Sequence, residues 1–489
     1  MNRRVVCPLL IWLFVGLALC KGPVPGRSVP ASIAPKIERE TDPAVLEKLE
    51  RFQDLKLGLL IHWGTYSQWG IVESWSICFE DEPWCRRPEG VGYEDYKKKY
   101  EALKTTFNPV NFDPGRWADA ARAAGMRYVI FYSKHHDGFC MFDTRLTDYR
   151  ITDGGCPFHS DPRANVALEI FKAFRARGLG IGAGFSKPDW HSPDYWAPEW
   201  ATPDRNVNYD PSRYPKRWKR FQDFTYGQIE ELMSGYGPID ILWLDGGWVR
   251  PASPDSDPAA GRTVKGRNQD IDMPRIAAMA RGRQPGLLIV DRTVGGRYEN
   301  YETPEQRIPD VPPEGPWETC LSLGASWTYT PNDVFKSPRE LIHTIIEVTA
   351  KGGNIILGAG PDGRGEFVPE VYDRLAAIGD WMAVNSKAIY GTRRHRPFKE
   401  TKIFYTRGKD GAVYAIYLAD EKETTPPPTI TLNSLKLKAG TVVRMLGVKD
   451  NVRWKRLGEG AGVMLKLPDS ALKNPPGRYA WAFEIRQGD

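Results

Sequence analysis

The chain holds seven histidines, and two of them stand side by side in YSKHHDGFCMF, Tyr132–Phe142. The residues before the pair, RYVIFYS, read as a buried strand, and Asp137-Gly138 after it read as loop. Successive strand side chains point opposite ways, so His135 and His136 cannot both hide on one strand face, and at least one must meet something polar. Other apolar runs end in the same manner. His62 and Trp63 follow LGLLI; Asp189, Trp190 and His191 follow LGIGAGFS; Asp245 and Trp248 close ILWLDGGW; Arg292 follows LLIVD; Glu318 stands in PWETCLSLG. Three chemistries suit this set. Histidines with an aspartate can ligate a hydrolytic metal, but the first run offers His62-Trp63 where a ligand pair would read His-X-His, and a tryptophan there speaks for stacking. Two carboxylates can cleave a glycosidic bond, with Asp245 as the nucleophile and a glutamic acid as the proton donor. A non-catalytic carbohydrate-binding barrel would use the same aromatics without requiring Asp245. For Asp245 the alternative duty is to cap the following loop or helix. Glu302, Glu305, Glu314 and Glu318 are the candidate donors, and the histidines would meet sugar hydroxyls as neutral donors and acceptors.

These residues need a scaffold that gathers strand ends. Seven apolar runs recur, at 57–64, 127–137, 179–191, 239–248, 286–293, 316–324 and 354–363, each apolar on both faces, as parallel strands covered by helices are. Helical patterns lie between them. PGRWADAARAAG (114–125) has Pro at its start and Gly at its end, and NVALEIFKAFRARG (165–178) aligns Val166, Ile170, Phe171 and Phe174 on one stripe. The stretches 218–233 and 338–353 repeat that pattern. Alternating strand and helix predicts a (β/α)8-like (TIM-type) barrel over 36–390, whose chemistry sits at the C-terminal strand ends. Four of the seven histidines fall at those ends, which argues for one site. From 391 to 489 the pattern changes to short alternating runs between Gly, Pro and Asp turns, which predicts an antiparallel β-sandwich. The Pro/Gly-rich stretch 246–270 reads as a long loop or lid.

Composition narrows the partners. A net charge of +6 with 26% charged residues and no long basic run argues against nucleic acid. Seventeen tryptophans and 21 tyrosines suit sugar-ring platforms as well as a large core. The opening MNRRVVCPLLIWLFVGLALCKG reads as an export signal over 1–22, or as an uncleaved anchor. Cys78, Cys85, Cys140, Cys156 and Cys320 follow it, an odd number, and Cys78 and Cys85 are spaced to bridge a short loop. No Asn-X-Ser/Thr occurs anywhere, which favours bacterial export to the periplasm or medium over a lysosomal destination.

Five segments in series, LGLLIHWGTYS, YVIFYSKHHDGFCMFDTRLTDY, ILWLDGG, WETCLSLGASWTY and GGNIILGAGPDGRGE, resemble the α-L-fucosidases of glycoside hydrolase family 29 over about 55–385. The resemblance implies a retaining exo-glycosidase that takes terminal α-L-fucose from fucosylated glycans with no metal or cofactor. An α-L-galactosidase, whose sugar differs by one hydroxyl, is the alternative. Carried over by motif, Asp245 is the nucleophile, and Glu305 in ETPEQ is the acid/base, with Glu302 as runner-up. His62, His135 and His136 contact sugar hydroxyls, and Arg292 stands beside the nucleophile. Trp84 in EDEPWCRR matches the sugar-stacking region, and Trp190 joins the sugar-binding residues. Phe185 stands where many members have Tyr, which implies a lost hydroxyl at a substrate contact.

Overall fold

The computed structural model describes residues 38–78, 90–202, 204–252, 267–458 and 462–487. Each of the seven apolar runs forms a strand: β1 Leu57–Ile61, β2 Tyr128–Lys134, β3 Gly180–Ser186, β4 Ile241–Asp245, β5 Leu288–Asp291, β6 Glu318–Ser322 and β7 Asn354–Ala359. They pair in parallel in the order β5-β4-β3-β2-β1-β7-β6. The strands are short and almost wholly buried, because one face packs on helices and the other fills the barrel. Alternation sorts the two. Leu60, Tyr128, Ile130, Tyr132, Ile241, Trp243, Leu288, Val290 and Ile356 share the inner cluster, while Leu59, Ile61, Val129, Phe131, Leu242 and Leu244 join the helix-facing core.

Among the described residues no eighth regular strand closes the sheet. The stretch 298–306 closes it instead, pairing with β5 on one side and β6 on the other. Asp291 and Asn300 N–H groups donate to Tyr298 O (2.8 Å) and Ile289 O (2.9 Å). Across the other edge, Glu318 N donates to Glu302 O (2.8 Å), Cys320 N to Pro304 O (3.1 Å) and Gln306 N to Cys320 O (2.9 Å). Pro304 has no N–H to give, so this stave is irregular, yet its carbonyl still accepts.

The helices start and stop as the sequence signals. Pro114–Ala123 is capped by Asp113, which accepts from Arg116 N at 3.0 Å, and Gly125 turns the chain out of it at φ +86°. Val166–Ala176 buries Val166, Ile170, Phe171 and Phe174, the stripe read from the sequence. Pro215–Gly235 and Pro338–Ala350 are the other two expected helices.

The last helical turn before the second domain is Ser386–Ala388. Eight antiparallel strands follow: β8 Thr392–Glu400, β9 Ile403–Gly408, β10 Val413–Leu418, β11 Thr429–Leu432, β12 Val442–Met445, β13 Arg453–Arg456, β14 Val463–Lys466 and β15 Ala480–Arg486. They form a five-stranded sheet, β12-β15-β10-β9-β8, and a three-stranded one, β11-β14-β13. Tyr405, Leu432, Leu465, Trp481 and Phe483 lie in the core the two sheets share. The expected export signal and Cys85 lie outside the described residues. Cys140, Cys156 and Cys320 are buried free thiols. No helix among the described residues is long and apolar enough to cross a membrane.

Candidate active site

The C-terminal ends of the strands surround a cavity of about 340 Å³, a volume suited to a small ligand. β1 delivers His62 to it one pleat above Leu60, and β4 delivers Asp245 one pleat above Trp243. On β2 the same period brings in Tyr132. A register shift between Tyr132 and Lys134 then breaks the alternation, and Lys134 turns outward to a buried ion pair with Asp189 (3.0 Å). His135 and His136 follow in a turn, free of strand alternation, and both line the cavity with ring centroids 4.1 Å apart. Both imidazoles of the pair therefore face inward.

Asp245 is followed by two glycines for a steric reason. A Cβ on Gly246, at φ +87°, would lie 2.4 Å from Pro188, and one on Gly247 would lie 2.0 Å from Thr293 Oγ1. The chain leaving β4 is thus pressed between the exits of β3 and β5, which sets Asp245 beside Arg292. The Arg292 guanidinium lies 4.2 Å from the Trp243 ring centre and donates both ways: Nη1 to Asp245 Oδ1 (2.9 Å) and Nη2 to Glu305 Oε2 (2.8 Å). Its Nε donates to Thr303 Oγ1 at 3.2 Å, which orients the fork. The Tyr132 hydroxyl donates to Asp245 Oδ2 at 3.0 Å, and His136 Nε2 stands 3.7 Å from the same oxygen. Asp245 keeps 18% side-chain exposure and Glu305 49%, both lining the cavity.

Electrostatics assigns the charges. Burial, the largest single influence, would raise the Asp245 carboxyl, but the Arg292 guanidinium, His136, His135 and the Gly246 N–H together outweigh it and hold the group well below the usual carboxylate range. Burial lowers all three cavity imidazoles, His135 to about 4 and His62 and His136 well below the ordinary value, so each is neutral near pH 7. Glu73 reaches in from the loop after β1, with Oε1 3.9 Å from His62 Nε2 and Oε2 3.6 Å from His135 Nε2. Burial first, then the charges of Glu305 and Asp245, push its carboxyl well above the ordinary range, so it is a neutral acid. Its backbone holds φ +49°, uncommon for a residue with a Cβ and typical of functional sites. Ser74 Oγ and His135 Nδ1 are 2.7 Å apart, which fixes that ring. His62, Glu73 and His135 present ligand atoms within 4.8 Å of one another, a set that can meet sugar hydroxyls or a cation.

Of the residues expected from sequence, His62, His135, His136, Asp245, Arg292 and Glu305 meet in this cavity. Trp84 lies outside the described residues. Trp190 is fully buried behind the wall, stacked on Trp196 (5.0 Å, 6° between planes) and set edge-on to Trp75 at 5.4 Å, so it props the platform instead of lining it. Glu318 is the first residue of β6, at the floor of the barrel, where it hydrogen-bonds the Tyr128 hydroxyl and burial lifts it to about 7. Glu302 pairs with Trp317 below β6, three residues short of Glu305 on the same stave, and is not part of the lining. The inference about Phe185 fails. Its ring packs in the helix-facing core with the Lys134 ammonium 4.3 Å from its centre, where a hydroxyl would meet no substrate. His191 stacks on Tyr149 and pairs with Glu101 (3.0 Å), away from the cavity. Sequence reasoning missed Glu73, Trp75, Tyr132, Trp243, Trp327 and Arg205 as lining groups. The available signal was Glu73-Ser74-Trp75, a carboxylate and an indole two residues apart directly after the first strand's loop.

The α-L-fucosidase family model matches residues 29–387, and the α-L-fucosidase C-terminal domain model matches 397–486. The tissue alpha-L-fucosidase of Rattus norvegicus is 27% identical over 462 residues, 89% of each chain. That of Homo sapiens is 26% identical over 503 residues, covering 98% of this chain and 96% of the relative. Among solved structures, alpha-L-fucosidase isoenzyme 1 from Paenibacillus thiaminolyticus superposes with a TM-score of 0.72 at 29% identity, over 91% of this chain and all of that one.

Proposed function

The chain belongs to the α-L-fucosidase family and is a glycoside hydrolase; on that footing we propose that it releases terminal α-L-fucose with Asp245 as nucleophile and Glu305 as acid and base. The observation that carries the assignment is the single Arg292 guanidinium bonded to both carboxylates inside one cavity. In the first step the ionised Asp245 attacks the anomeric carbon while protonated Glu305 gives its proton to the departing glycosidic oxygen. A fucosyl ester on Asp245 results. In the second step the Glu305 carboxylate takes a proton from water, the water oxygen attacks the same carbon, and the ester bond breaks. Two inversions leave the configuration retained.

The surroundings support this division of labour. Asp245 is held ionised by Arg292, as a nucleophile must be. The neutral imidazoles of His62, His135 and His136, with the neutral acid of Glu73, provide donors and acceptors matched to sugar hydroxyls. Trp75, Trp248 and Trp327 provide apolar faces for the ring and its methyl group. The natural substrates are fucosylated oligosaccharides or glycoconjugates, and residues 1–22 export the enzyme to the bacterial periplasm or beyond. The family assignment does not favour an α-L-galactosidase or a non-catalytic barrel.

The test is chemical rescue. Asp245→Gly should lose several orders of magnitude in turnover and recover part of it with azide, forming a fucosyl azide. Glu305→Ala should be crippled on substrates with poor leaving groups and spared on good ones, whereas Glu302→Ala should show no such contrast. Full turnover by Asp245→Gly without azide would refute the assignment, and loss of wild-type turnover in EDTA would point to a cation on His62, Glu73 and His135 instead.

A further inference from the structure

The second domain carries a cationic face that no step of the hydrolysis uses. Residues 391–489 hold 19 Lys and Arg against 10 Asp and Glu, a net +9, while the whole chain is only +6, so the positive charge belongs to this domain. Its five-stranded sheet is covered on both sides. Phe404, Tyr414 and Ile416 pack into the core shared with the barrel helices, and Tyr405, Ala415 and Tyr417 face the three-stranded sheet β11-β14-β13. That small sheet gives one face to the same core, through Ile430, Leu432, Val463 and Leu465. Strand alternation then turns Thr429, Thr431, Met464, Lys466, Arg453 and Lys455 the other way, away from the barrel, and all but Met464 are exposed.

Arg453 on β13 and Lys466 on β14 are direct cross-strand partners, and Lys455 stands two residues along from Arg453. Strand geometry puts the three within about 10 Å, the screening distance at ~0.1 M salt, so they act together on one ligand. Like charges directly opposite destabilise a sheet, so this pair works against the fold. Protection of a sheet edge does not account for it, because Lys466 sits on the central strand. No outward position on the three strands is acidic, and among the described residues none of the three cations has an ion pair or a side-chain hydrogen bond. Elsewhere in the domain Arg393, Lys402, Lys409 and Arg486 all meet carboxylates. Lys436 and Lys438, both exposed, extend the charge past the end of β13, since they flank Leu437, whose carbonyl accepts from Arg456 Nη2 at 2.9 Å. Spaced cations on one exposed face suit a chain of anions, and no outward position offers an aromatic ring on which a neutral sugar would stack.

We propose that the outer face of the β11-β14-β13 sheet binds an anionic polysaccharide, with Arg453, Lys455 and Lys466 meeting its sulfate or carboxylate groups. A polysaccharide is the occupant because the chain is a glycoside hydrolase, whose working surroundings are glycans. The face points away from the barrel, so contact there tethers the enzyme to a polymer without filling the cavity. Turnover of a small fucoside does not depend on it.

The experiment measures binding of the full chain to dextran sulfate, polygalacturonate and neutral dextran of matched length, with double-stranded DNA and phosphatidylglycerol vesicles as rival anions. The wild type should bind at least one of the two anionic polysaccharides and not neutral dextran, and the stronger arm says whether the face takes sulfate or carboxylate. Raising salt from about 0.05 to about 0.5 M should erode that binding. Arg453→Gln, Lys455→Gln and Lys466→Gln combined should weaken it about 100-fold, about five-fold per cation, the weight of one basic side chain at an anionic surface. Lys387→Gln, Lys422→Gln and Arg478→Gln combined remove the same charge from exposed positions beside the barrel contacts, and should weaken it far less. Both triple variants should keep the wild-type kcat/KM on an aryl fucoside, which also shows them folded. No binding to either anionic polysaccharide, equal weakening in the two triple variants, or tighter binding to DNA or vesicles than to polysaccharide would overturn the inference. A wild type that binds polysaccharide but turns over no fucoside would overturn the proposed catalytic reading and leave this one standing.

Discussion

Replacing Arg292 by methionine keeps an apolar stem over Trp243 and removes the cation shared by the two carboxylates. Asp245 then has burial, which raises its carboxyl, without the largest of the influences that oppose it. A hydrogen bond to a charged group contributes about 1.5–3 kcal/mol, and one pKa unit corresponds to about 1.4 kcal/mol, so the Asp245 carboxyl should climb by about 1–2 pH units. The attacking form is the carboxylate. The acid limb of kcat/KM should therefore move upward by that amount, toward the ordinary carboxylate range. Stability follows the same sign. A carboxyl depressed in the fold stabilises it above its unfolded value, about 3.9, and that contribution is lost as pH falls through the folded value. The thermal deficit of Arg292→Met should thus be present at pH 7 and shrink in acid. The assays are pH profiles of kcat/KM on an aryl fucoside, with calorimetric melts at matched pH. An acid limb that stays in place in a variant that remains folded would refute the claim that Arg292 keeps Asp245 ionised.

The remaining expectations concern neighbours of the two carboxylates. Tyr132→Phe deletes only the hydroxyl that donates to Asp245 Oδ2, and kcat/KM should fall about 10- to 100-fold with little change in melting temperature. Glu73 is a neutral acid between two imidazoles, so Glu73→Gln, a neutral isostere, should retain more than about ten times the kcat/KM of Glu73→Ala, where two ring nitrogens lose their neighbour. Glu73→Gln as damaging as Glu73→Ala would mean that the group works as a carboxylate. Trp190→Ala opens a cavity behind the wall and should lower stability by about 3–5 kcal/mol, while Trp190→Phe retains most of it, as denaturant unfolding would measure.

The frame was readable because parallel strands buried on both faces leave uninterrupted apolar runs, and all seven barrel strands did so. Strand polarity was harder to place. Glu318 stands in an apolar run as Asp245 does, but at the start of its strand, and a run of five buried residues does not show which end reaches the cavity. The stave carrying Glu305 has no period at all, because Pro304 and a change of pairing partner interrupt it, so its position could be inferred only by motif. Glu73 lay hidden for a related reason: it sits in an irregular loop at positive φ, held by contacts distant in sequence. In the second domain β8 and β13 leave no alternating signal, because TRRHRPFKE and RWKR are charged edge strands. The paired histidines were correctly marked as unable to share a strand face, and the register shift at Tyr132–Lys134 is the feature that frees them.

The central claim is a covalent bond between Asp245 and the sugar. Incubating the wild-type enzyme with a 2-fluoro-fucosyl fluoride slows breakdown of the ester more than its formation, and mass spectrometry of the digested protein then locates the adduct. The account predicts a single fluorofucosyl group on Asp245, in the peptide containing ILWLDGGW. A label on Glu73 or Glu305, or no label in a preparation that turns over aryl fucosides, would contradict it.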